Sequence, residues 1–189
     1  MSMLEGLRDP EVFAQIFGAI MIFVGLLVNA AQFKRQQVWQ SKQFASEQIQ
    51  HLMSRVEYRN VVRLLAWDGF PADLFPESND YEKRFVRVSH ERIISVISSD
   101  GCGHCSDLDF RIIDNIDVFL TEVDRYATNV KSGFFPLSET LVSLDYLLQN
   151  MSADKPMDSV FFHIRQYIEK WSYDGILWLI REYEKSVDR

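Results

Sequence analysis

The chain has 189 residues, enough for one ordinary domain plus an anchor, and a hydrophobic content of 47% excludes a disordered chain. A formal net charge of -7 with no block of consecutive basic residues would repel phosphates, so no nucleic-acid partner is expected. Two cysteines, Cys102 and Cys105, cannot build a disulfide scaffold, which points to an intracellular fold independent of disulfides.

The first predicted element is a transmembrane helix over residues 12–33, after a short acidic extracytoplasmic tail over 1–11. From Val12 to Phe33 there is no charge, and a helix of that length covers about 30 Å, the thickness of a hydrocarbon core. Its polar members Gln15, Asn29 and Gln32 lie towards the ends. A buried core helix would carry a charged outer stripe, and this segment has none. A cleaved signal peptide needs a basic leading region, whereas Glu5, Arg8, Asp9 and Glu11 stand there. Lys34, Arg35 and Lys42 follow the span, and Arg8 is the only basic side chain before it. Basic flanks stay on the cytoplasmic side, so the expected topology has the N-terminus outside and a cytoplasmic C-terminal domain on the plasma (bacterial inner) membrane. Ala14, Gly18, Met21, Gly25 and Asn29 recur at helical spacing, a small-residue stripe suited to self-association in the lipid bilayer.

Residues 34–66 read as one stalk helix, solvated near the membrane and apolar at helical spacing from Ile49 onward. Trp67-Asp68-Gly69-Phe70-Pro71 breaks it and opens a helical domain over 67–189. Phe85, Val86 and Val88 are compatible with a strand, so the stretch from Tyr81 is expected to start extended and turn helical at Ser89 as cap. Asp107 to Lys131 is the clearest amphipathic helix, with Leu108, Ile112, Ile116, Phe119, Leu120, Val123, Ala127 and Val130 on one stripe. Gly133 closes it, and Leu137 to Met151 follows as a helix with Ser138 as cap. Two last helices carry Phe161, Phe162, Tyr167, Trp171, Tyr173, Trp178 and Tyr183, read as core aromatics. The expected fold class is all-α: a transmembrane helix continuing into a stalk helix and an antiparallel helical bundle.

Cys102-Gly103-His104-Cys105 is the motif-like feature. A helix N-terminus and a nearby His⁺ favour thiolate in such a pair, and the tetrapeptide matches the active-site string of disulfide isomerases. The flanks lack the strand and βαβ surround of a thioredoxin-like site. Cys102, His104 and Cys105 also offer three zinc-type donors, with His90 or His51 as a fourth, but no second spaced pair. The plainer alternative is a loop with two reduced thiols and no cofactor. Asp114 and Asp117 share a helix face of the kind that solvent covers. Arg84 and His90 match loosely the spacing of small helical ribonucleases, across residues that look strand-like.

The layout is similar to that of uncharacterised bacterial single-span membrane proteins with a small helical cytoplasmic domain. The matching stretches are Trp39 to Gln43 after the span, Leu64 to Gly69, Ile112 to Leu120, and a Tyr-rich helix from Tyr167 to Tyr183. That resemblance implies the architecture and no activity; some bacterial proteins of this layout act as membrane effectors in phage defence. The resulting expectation is a non-enzymatic, membrane-anchored helical protein, an interaction module or oligomerising effector with an unknown protein partner. The alternative is a thiol-redox or metal-sensing protein centred on the Cys102–Cys105 loop.

Overall fold

The computed structural model describes residues 10–99, 105–152 and 155–187. The chain divides into two units, Met1–Gln43 and Phe44–Arg189.

The first unit holds most of helix α1 (Pro10–Ser54), which is long and apolar enough to cross a membrane. No residue in its apolar stretch is buried, and Phe17, Ile20, Ile22, Phe23, Leu26 and Leu27 all stand exposed. Such a surface is costly in water at roughly 25 cal/mol per Å² of apolar area.

The second unit begins with the end of α1, where Ala45, Ile49 and Leu52 are buried. Arg55 then leaves helical geometry (φ -65°, ψ 145°) before α2 (Val56–Ala66), so the expected single stalk helix is two. No Gly or Pro marks this break. It is held instead by Ser54 Oγ donating to the His51 carbonyl at 2.8 Å and by the Arg55 guanidinium 2.9 Å from Glu122.

A two-stranded antiparallel sheet, β1 (Phe70–Asp73) and β2 (Phe85–Val88), interrupts the otherwise helical chain, with Phe70 opposite Val88 and Asp73 opposite Phe85. The strand reading of Phe85 to Val88 is therefore borne out, but Tyr81–Arg84 ahead of it is a helical turn, α3, capped by Asp80. Helix α4 (His90–Ser98) starts at Ser89, whose hydroxyl accepts the Arg92 N–H as expected. The expected helix from Leu137 is divided at Leu144 into α6 (Leu137–Ser143) and α7 (Asp145–Met151). Ser138 does not cap it: its hydroxyl donates to Glu139, and Pro136 occupies the cap position.

Helix α5 (Asp107–Lys131) buries Ile112, Ile116, Phe119, Leu120, Val123, Ala127 and Val130, nearly the whole anticipated stripe. It packs against α2, α4, α6 and α9 (Asp174–Val187), while α8 (Val160–Lys170) packs against α4, α7 and α9. Phe161 and Tyr167 are core residues as read, but Trp171 is 59% exposed at the end of α8.

Candidate functional site

Two regions were singled out by sequence, the face of the apolar helix and the cysteine loop. At about 100° per residue, an uninterrupted helix brings Ala14, Gly18, Met21, Gly25 and Asn29 within an arc of about 80°. A Cβ built on Gly18 or Gly25 meets nothing within 4 Å, so the stripe is an open surface. Lys34, Arg35 and Lys42 lie further along the same helix, on its exposed surface.

Of the loop, Cys102 and His104 lie outside the described residues. Cys105 is half-buried and disulfide-bonded. That overturns the reduced-thiol expectation at Cys105, and a disulfide sulfur offers a metal no thiolate. Among the described residues no cluster of three or more His, Cys, Asp or Glu is placed to hold a metal. His90, one of the anticipated fourth ligands, is engaged otherwise. Its Nε2 donates to the Leu64 carbonyl at 3.0 Å, and its backbone N–H donates to Asp68 Oδ1 at 2.6 Å. Arg84 is not brought to His90 as a nuclease pair. Its guanidinium forks onto Asp73 instead, Nε to Oδ1 at 2.9 Å and Nη2 to Oδ2 at 2.7 Å.

Sequence reasoning missed a row of polar ties along α5. At its start, Ser106 and Asp109 form a capping box, and Arg92 of α4 donates to both Asp109 oxygens at 2.7 and 2.8 Å. Those Arg92 bonds, with help from Ser106, hold the Asp109 carboxyl below the usual carboxylate range. Further along, Asn115 Oδ1 accepts from Asn60 Nδ2 at 3.0 Å. Asn60 also donates to the Asp73 carbonyl at 2.7 Å and accepts the Asp73 N–H at 3.1 Å, binding α2 to β1.

Asp117, read as solvated, accepts the Tyr167 hydroxyl at 2.7 Å and the Tyr173 hydroxyl at 3.4 Å. Burial, then the Asp117 hydrogen bond, pushes the Tyr167 phenol well above its ordinary value. Asp114, its companion on the sequence, is exposed as read. Asp124 accepts two backbone N–H groups at the start of α9. Among the described residues, no buried side-chain nitrogen or oxygen lacks a hydrogen-bond partner. The Ser106–Asp109 capping box has a local signature, but the other partners come from elements distant in sequence.

Comparison with protein-family models, with curated proteins and with solved structures finds no match.

Proposed function

We propose that this is a single-pass membrane protein that works without catalysis, as an oligomerising effector or interaction module. In this reading α1 crosses the bilayer with its N-terminus outside, and residues 67–189 form an antiparallel helical bundle on the cytoplasmic side. The observation that carries it is the charge-free stretch of α1, none of it buried, with an open Gly18/Gly25 face. Apolar surface of that extent needs lipid, and small residues let helix backbones approach closely there. Lys34, Arg35 and Lys42 support the orientation through the retention of basic flanks in the cytoplasm. The layout likeness to phage-defence effectors extends the proposal to antiviral defence, with span clustering that disturbs the bilayer as the output.

The test is the mass of the full chain in detergent micelles, measured for the natural sequence and for Gly18→Leu with Gly25→Leu. The natural chain should assemble and the variant should fall towards monomer. Equal masses would sink span-mediated association. Reporter fusions at either end check the orientation independently.

A further inference from the structure

Helix α2 carries Arg59 and Arg63 on its exposed side, one turn apart, and Trp67 follows one turn later at the helix end. Trp67 is 58% exposed. Its ring lies 5.7 Å from that of Phe70, and the Arg63 guanidinium stands 5.5 Å from the Phe70 centroid. The nearby carboxylates are already engaged, Glu57 with Arg55 and Asp68 with the His90 backbone. Among the described residues neither Arg59 nor Arg63 makes an ion pair.

Helix α5 presents the opposite chemistry. Asp107, Phe110 and Asp114 fall within an arc of about 60° on its exposed side. Phe110 is 56% exposed, and neither aspartate has an ion-pair partner among the described residues. Arg111, at the edge of this face, is paired with Glu77. Exposed Trp and Arg are residue types that dominate binding energy at protein interfaces, and Phe is enriched there.

We propose that Arg63 and Trp67 on the exposed face of α2 in one copy dock on Asp114 and Phe110 of α5 in a second copy. The spacing fits an antiparallel meeting of the two helices. Arg63 to Trp67 and Asp114 to Phe110 are each one turn, about 6 Å, so Arg63 meets Asp114 while Trp67 covers Phe110. Because the two faces differ, each copy offers one and receives one. The inference rests on the self-association reading above and adds a contact outside the span.

The test uses the full chain in detergent micelles, with Arg63→Glu and Asp114→Arg made separately. Either reversal sets like charges against each other across the contact and should weaken assembly about tenfold or more. Mixing the two variants restores opposite charges at every contact between unlike copies, so assembly should return. Circular dichroism melts check that both variants fold.

Unchanged assembly in both single variants would overturn the inference, as would loss without recovery on mixing. The span reading fails separately: charge reversal would then break assembly while Gly18→Leu with Gly25→Leu would not.

Discussion

Asp124 of α5 caps α9 from a different helix: its Oδ1 accepts the Gly175 N–H at 2.8 Å and the Ile176 N–H at 3.1 Å. The approach is close enough that a Cβ on Gly175 would lie 2.6 Å from the Asp124 carbonyl oxygen and 2.9 Å from Thr128 Oγ1. Glycine stands there for space, since the contact is with backbone that cannot swing aside.

Gly175→Ala should therefore force α9 off α5 and cost about 1–3 kcal/mol. Asp124→Ala removes the cap and should cost about 1–2 kcal/mol. In a chain of this size each kcal/mol lowers Tm by about 2–4 °C. Thermal melts of the full chain in micelles check both, and an unchanged melt for Gly175→Ala would contradict the close approach.

The ends of α5 and α8 form a natural comparison. In α5, Gly133 has φ 78° while Phe134 N–H reaches Asn129 at 3.0 Å and Gly133 N–H reaches Val130 at 2.9 Å. In α8 the same bonds run from Tyr173 to Ile168 at 3.1 Å and from Ser172 to Glu169 at 3.2 Å, but Ser172 holds φ 56°. A left-handed backbone costs a side-chain-bearing residue about 1–2 kcal/mol. Ser172→Gly should raise the melting temperature, and Gly133→Ala should lower it by a similar amount. A destabilised Ser172→Gly would show that the hydroxyl matters more than the backbone.

Asp109 makes stability depend on acid. Its folded value is depressed, chiefly by Arg92, so its contribution is complete above the ordinary carboxylate range near pH 4 and is lost as pH falls through the folded value. Asp109→Asn should destabilise the protein at neutral pH and flatten the fall in stability below about pH 5. Denaturant titrations at several pH values give the comparison; an unaltered slope in acid would place the acid sensitivity elsewhere.

Asn60→Ala would strand the Asp73 backbone groups and the Asn115 carbonyl together, each left without the bond it now makes. Leaving buried polar groups unsatisfied costs about 1–3 kcal/mol each. Asn115→Ala, which spares the Asp73 bonds, should be the milder change. Urea unfolding midpoints rank the two.

The core of this fold was legible wherever one helix face carried it. The α5 stripe is buried almost as read, because a long run of apolar residues at period 3.6 has few alternatives. The breaks at Arg55 and Leu144 were not legible. Neither has a Gly or Pro, and the Arg55 break is held by Glu122, distant in sequence. Trp171 shows the converse, since aromatic character alone does not say whether a residue is buried. The span face follows from spacing alone, whereas Asp117 looked like an ordinary surface acid because its partner Tyr167 sits some fifty residues away.

Hydrophobic ridges by themselves allow a helix to slide along its neighbour by a full turn and still find apolar contact. Along α5 the polar side chains of Asp109, Asn115, Asp117 and Asp124 each answer to a partner on α4, α2, α8 or the start of α9. They are spread over about 22 Å of helix, and a shift of about 5.4 Å would leave a carboxylate or amide facing carbon. These groups act as a graduated scale that permits one alignment, so a chain in which all four were apolar would keep its helices and lose their registration.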